Sequence, residues 1–131
     1  MKVRCNSVKI SDSNLHTLGK NAAAKNHFNI TIGKEYVVFG LIFGFDDWGC
    51  GCFAQILSDY DHLIQVPIIL FDIVDNRISN YWDLRKSVDG NITLWPSSFY
   101  LEYYHDDLFE EVPDIVADFK KVKQSIITEF E

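Results

Sequence analysis

The sequence predicts an α+β fold: an antiparallel β-meander, flat or curled into a small open barrel, with a C-terminal α-helix packed on it. Three observations predict it. Residues 28 to 101 are a succession of β-branched and aromatic runs separated by turn residues. Residues 112 to 130 repeat their apolar positions with the period of a helix. The chain has 131 residues, 47% of them hydrophobic and 15% aromatic, which makes a single domain (1–131) with a real core.

The elements follow in order. KVRCNSVKI reads as a short strand with Val3, Cys5 and Val8 partly buried. SDSNLHTLGKNAAAKNHFN is polar and contains a run of Ala, which reads as a loop with one helical turn. It falls largely within an N-terminal basic segment, residues 1–27, that precedes the β-rich core of 28–101. NITIGKEYVVFGLIF is strongly β-like, with Gly33 and Gly40 suited to a turn or bulge. GFDDWG is a turn, CGCFAQIL a second strand and SDYDH a polar turn. LIQVPIILFDIV is a third strand, in which Pro67 marks an edge, a bulge or a bend. DNRISNYWDLRKS is a turn leading into a strand. Asp89-Gly90-Asn91 makes a tight turn into a last strand that Pro96 ends.

The helix spans 112–130. Val112, Ile115, Val116, Phe119, Val122, Ile126 and Phe130 recur at spacings that place them on one helical face. Pro113 suits the first turn, and Asp114 and Asp118 lie toward the positive end of the helix dipole.

Charge is distributed unevenly along the chain. The formal net charge is -7. Residues 1–34 carry six basic side chains and one acid, Asp12, whereas residues 35–118 carry sixteen acids and only Arg77, Arg85 and Lys86. Such a surface repels phosphate backbones and anionic membranes and attracts cationic partners. No apolar run approaches the roughly 18 residues of a membrane-spanning helix. The N-terminal stretch lacks the apolar core of a secretory signal. The odd set Cys5, Cys50 and Cys52 fits a reducing compartment, so the expected location is cytoplasmic.

Catalytic and metal motifs are weak. Cys50-Gly51-Cys52 lacks the second ligand pair of a structural zinc site, and two small thiols on a strand are the plainer reading. His62 and His105 each sit among carboxylates, but no nucleophile elbow, P-loop, dinucleotide fingerprint or HExxH accompanies them. Asp46/Asp47 and Asp106/Asp107 lack a calcium-loop pattern. The sequons at Asn29 and Asn91 have no secretory context. The expectation is a chain without catalytic residues, cofactor or metal.

What remains is the coincidence of acids with aromatics. Asp46, Asp47 and Trp48 share one turn; Asp59, Tyr60 and Asp61 share another. Tyr103, Tyr104, Asp106 and Asp107 share a third, extended by Glu110 and Glu111 within YYHDDLFEEVPD. Tyr and Trp anchor protein interfaces, and rim carboxylates steer a basic partner. The competing reading is of ordinary polar turns, with Trp48 or Tyr104 packed inward.

Three segments carry a family-like pattern: Gly33, Lys34, Tyr36 and Val38; then Pro67, Phe71, Ile73, Asp75, Ser79, Tyr81 and Trp82; then Trp95 and Pro96. Together they resemble the small bacterial immunity proteins that accompany contact-dependent inhibition and other polymorphic toxins. The likeness covers roughly the middle half of the chain and rests largely on apolar strand positions. It implies a cytoplasmic protein that binds one cognate toxin domain and blocks it, a nuclease with a basic cleft being the expected target. Immunity families diverge at their binding surfaces, so the resemblance transfers no site residue. Three alternatives stand beside it: an acidic DNA mimic that occupies host nucleic-acid-binding proteins, a small enzyme using His62 or His105, and a structural adaptor with no inhibitory role.

Overall fold

The computed structural model describes residues 1–8, 28–46 and 49–131, with side chains at all of these except 45–50. The loop and helical turn expected in 11–29 fall almost wholly outside the described residues, as do Asp47 and Trp48 and the side chain of Asp46. The protein is α+β, with two antiparallel sheets and a long C-terminal helix. In chain order the strands are β1 (Lys2–Cys5), β2 (Glu35–Val37), β3 (Gly40–Asp46), β4 (Gly49–Leu57), β5 (Leu63–Pro67), β6 (Phe71–Asp75), β7 (Trp82–Lys86) and β8 (Ile92–Pro96). Helices α1 (Tyr104–Phe109) and α2 (Pro113–Glu129) follow.

The smaller sheet runs β2-β1-β6 and the larger β5-β4-β3-β8-β7. The chain meanders through β3, β4 and β5, leaves for the small sheet at β6, and returns as the hairpin β7–β8 on the other side of β3. No closed barrel forms among the described residues.

Two long apolar runs of the sequence are therefore divided between sheets. In EYVVFGLIF the break falls at Val38 and Phe39. The amide of Val38 donates to Met1 O in the small sheet (3.0 Å), and the next amide, of Phe39, donates to Gln55 O in the large one (2.8 Å). In LIQVPIILFDIV, expected as one strand, the break falls after Pro67. Pro67 ends β5 at the edge of the large sheet, opposite Phe53, where its missing N–H breaks no ladder in the sheet interior. A single 3-10 turn, Ile68–Leu70, then carries the chain to β6. Gly40 is required by crowding rather than by a turn. A Cβ there would lie 2.5 Å from Gln55 Oε1 and 2.7 Å from Trp95 Cδ1. Gly90, at φ 95°, sits in the predicted tight turn between β7 and β8.

The helix face foreseen in 112–130 forms as expected. Phe119, Ile126 and Phe130 are buried, and Val112, Ile115, Val116 and Val122 are half-buried. Pro113 occupies the first turn. Phe119 meets Phe39 edge-on at 6.0 Å between ring centroids and packs at 6.3 Å from Phe99. At the far end, Glu129 accepts hydrogen bonds from Ser79 Oγ (2.6 Å) and the Asn80 amide (2.7 Å). That clamp ties the end of α2 to the β6–β7 connection. Among the described residues no helix is long and apolar enough to cross a membrane.

The acid-rich stretch after residue 102 is not the turn that was expected. It folds as α1, which turns Tyr104 into the core and leaves Asp106 exposed. Tyr103, in the left-handed conformation at φ 61°, provides the sharp entry. The helix forms because Tyr104 and Leu108, one turn apart, have an apolar surface to cover, a tertiary cause that local composition does not signal.

Candidate functional site

A groove of about 480 Å³ opens where the β4–β5 turn, α1 and α2 meet. Its apolar lining comes from Leu63, Leu108, Phe109, Val116 and Phe119. Asp61 and His62 enter from the turn, His105 and Glu111 from α1 and its C-terminal end. Lys120 and Lys123 enter from α2. Val116, Phe119, Lys120 and Lys123 have the i, i+3, i+4, i+7 spacing of one helical stripe, so the groove follows α2 for about two turns.

The three predicted clusters have different fates. Asp46, Asp47 and Trp48 cannot be placed, because their side chains lie outside the described residues. In the second cluster Asp59 is engaged internally. It accepts from Thr31 Oγ1 (2.6 Å), Lys34 Nζ (2.7 Å) and Tyr36 OH (2.8 Å). The Lys34 ammonium, with the two hydroxyls, brings its carboxyl down to about 2. These bonds fasten the 31–36 segment to the β4–β5 turn and leave Asp59 little capacity for a partner. Its neighbour Tyr60 is 70% exposed, and Asp61 reaches Lys123 Nζ at 3.3 Å.

In the third cluster Tyr104 is corrected from a surface anchor to a core residue. It is 1% exposed, packs 5.0 Å from the Phe99 ring and donates its hydroxyl to Asp118 Oδ2 at 2.8 Å. Burial first, then the adjacent carboxylate, raises its phenol pKa well above the ordinary value. Tyr103 remains outside, 65% exposed. Asp106, Asp107, Glu110 and Glu111 form no ion pair and no side-chain hydrogen bond among the described residues. They are an uncompensated run of negative charge on α1 and the two residues that follow it.

Phe109, within the same acidic run, is 84% exposed and stands at the groove. It was not among the predicted anchors. The apolar pair Leu108–Phe109 between Asp107 and Glu110 is the signal that marks it, one member facing in and the other out. The lysines opposite were also missed as site residues, because their spacing reads first as a solvated helix face.

Backbone strain gathers at the same place. The non-glycine residues with positive φ are Asp61 (63°), Tyr103 (61°) and Glu111 (60°) among the described residues. Two line the groove and the third opens α1. Such conformations cost about 1–3 kcal/mol each and concentrate where function constrains a backbone.

His62 and His105 share the groove but differ in state. His62 is exposed on the turn. His105 is half-buried under Trp95, 4.8 Å between centroids, with Gln55 Nε2 3.0 Å from its Nε2. With the Gln55 amide donating, the neutral ring carries its proton on Nδ1. Burial holds the imidazole below its usual pKa, against the opposing pull of Asp106. Cys5 and Cys52, elsewhere in the fold, are buried and half-buried thiols whose pKa burial raises. Comparisons of the chain with protein-family models, curated proteins and solved structures find no match.

Proposed function

We propose that the chain is a non-enzymatic inhibitor that binds a basic protein partner one-to-one through the α1 face. The partner in this reading is a cognate bacterial toxin domain, a nuclease by preference, as the resemblance to small immunity proteins implies. One observation carries it: Asp106, Asp107, Glu110 and Glu111 are unpaired by any cation among the described residues, while Phe109 stands exposed in their midst. A carboxylate run of this kind speeds the arrival of a basic surface, and an exposed ring supplies the anchor once it arrives. An acidic inhibitor of a nuclease also takes the place of the substrate's phosphates.

The test is capture of the tagged protein's partner at low and moderate salt, followed by a neutralisation assay on that partner. A single stoichiometric toxin that stays bound at moderate salt and loses activity supports the proposal. A salt-labile collection of nucleic-acid-binding proteins supports the DNA-mimic reading instead.

One observation favours a second reading, a small enzyme. His62 and His105 line the same groove, with Asp61 and Glu111. Among the described residues no Ser, Cys, Thr or Tyr lines it, so the chemistry left to it is acid–base work, or attack by a carboxylate, without a hydroxyl or thiol nucleophile. Toxin protection that survives His62→Ala and His105→Gln argues against that reading.

A further inference from the structure

The large sheet ends at β7, whose outer edge meets no other strand among the described residues. Ser87 N donates to Asn91 O at 2.8 Å, one step beyond the Lys86–Ile92 pair. Antiparallel ladders alternate, so Asp83 and Arg85 turn their backbone groups toward β8 while Leu84 and Lys86 turn theirs outward. Trp82 also turns outward, and its amide donates to Ser79 O at 3.3 Å. Among the described residues no hydrogen bond meets the outward groups of Leu84 and Lys86. Side chains alternate as well. Leu84, 68% exposed, shares one face with the exposed Ile92 and Phe43. Asp83 and Arg85 share the other, where the Arg85 guanidinium lies 4.0 Å from the centre of the Tyr100 ring.

A free edge is a template for another strand, and here the order of charges selects which one. Turned antiparallel about Leu84, WDLRK is its own complement. Leu84 meets Leu84, Asp83 of each copy meets Arg85 of the other, and Trp82 meets Lys86. Leu84 has outward N–H and C=O groups, so the central pair exchanges both backbone hydrogen bonds. The Asp83–Arg85 pairs then fall at non-bonded positions, where opposed Cα atoms come closest, about 4.5 Å apart. Opposite charges there stabilise the pairing and like charges oppose it. Within one strand Asp83 and Arg85 are 3.8 Å apart, beyond hydrogen-bond length, and each side chain stays about half exposed. Asp83 also accepts from Ser97 Oγ at 3.1 Å, which fills one of a carboxylate's roughly four acceptor sites. The other edge strands lack this pattern. β2 has three residues, β5 is uncharged and ends at Pro67, and β6 carries the acids Asp72 and Asp75 without a base. We infer that β7 pairs antiparallel about Leu84 with β7 of a second copy of this chain, joining the two large sheets into one. The groove-lining turn precedes β5, four strands away across the sheet or about 19 Å. The inference stands apart from the inhibitor reading.

Sedimentation velocity on the full-length chain from about 10 µM to about 1 mM tests it, a range suited to an interface this short. The native protein is expected to pass from monomer to dimer across the series. Asp83→Arg and Arg85→Asp, both at exposed positions, each set like charges opposite one another. Each is expected to weaken self-association by about tenfold or more while the circular dichroism spectrum stays native. Mixed in equal amounts the two variants are expected to associate again, because at positions 83 and 85 one strand is then all positive and the other all negative. A 15N dilution series on the native protein locates the contact. The Leu84 and Lys86 amides are expected to shift with concentration, and those of Asp83 and Arg85, which face β8, to move less. A native chain that stays monomeric throughout overturns the inference, and the alternating charges then serve only to blunt the edge. Self-association without shifts at Leu84 and Lys86 overturns it too, since the contact then lies elsewhere. So does a mixture of the two variants that associates no better than either alone.

Discussion

Tyr104 and Asp118 are joined by a 2.8 Å hydrogen bond that ties α1 to α2 beneath the acidic run. Tyr104 is a core residue by burial, yet its hydroxyl is the polar link between the two helices. Removing only that hydroxyl, in Tyr104→Phe, leaves the half-buried Asp118 carboxylate without its donor. The expected loss is about 1–2 kcal/mol in urea unfolding. Tyr104→Ala is expected to cost about 3–5 kcal/mol, because the ring packed on Phe99 goes with it.

The acidic face is expected to act on rate rather than on fold. Replacing Asp106, Asp107, Glu110 and Glu111 by Asn or Gln leaves the thermal midpoint nearly unchanged, since none is paired among the described residues. Stopped-flow association with the partner at low salt is expected to slow by about tenfold, with a flatter dependence on ionic strength.

Asp59 is expected to behave in the opposite way. Its folded pKa lies near 2, below the unfolded value of about 3.9. The group therefore contributes stability that is present above the unfolded pKa and lost as pH falls through the folded one. Asp59→Asn is expected to flatten the acid-unfolding profile between about pH 4 and 2. It is expected to leave the salt dependence of binding intact, because the native carboxylate is already held by Lys34, Thr31 and Tyr36.

His105 shifts in the same sense with a different window. Burial lowers its folded pKa below the unfolded value of about 6.5. Stability is therefore complete above the unfolded pKa and falls as pH drops from there toward the folded pKa. His105→Gln, which keeps hydrogen-bonding capacity toward Gln55, is expected to remove this component from thermal unfolding measured between pH 8 and 5. Unchanged pH dependence in that variant contradicts the assignment.

Glu111 links strain to function. At φ 60° it occupies a conformation that glycine adopts freely, so Glu111→Gly is expected to stabilise the fold by about 0.5–1 kcal/mol. The same change removes a carboxylate from the groove rim and is expected to weaken partner binding. A variant that gains stability while losing affinity is the signature of a residue kept for its charge.

The parts of the fold legible in the sequence are those governed by local pattern. Helix α2 announces itself through seven apolar residues on one face and Pro113 at its start, and all seven are buried or half-buried. The tight turn at Gly90 is equally local. The division of EYVVFGLIF between two sheets is not legible, because Val38 and Phe39 bond to Met1 and to Gln55 and nothing nearby in sequence marks the switch. Helix α1 escapes for a related reason. Its six residues are half polar and too few to show a helical period, and tertiary packing of Tyr104 and Leu108 holds them helical. The groove unites residues 61–63, 105–111 and 116–123, so Lys120 and Lys123 join it only when α2 lies beside α1. The sequence shows the acid–aromatic clusters only as local composition. It does not separate the internally spent Asp59 and buried Tyr104 from the free carboxylates and exposed Phe109 around them.

The measurement that bears most directly on the account is the association rate of the captured partner across a salt series, for the native protein and for the variant neutral at Asp106, Asp107, Glu110 and Glu111. The account predicts a fast, strongly salt-dependent rate for the native protein and a slower, nearly salt-independent one for the variant. Identical rates and identical salt slopes would contradict it and move the binding surface away from α1.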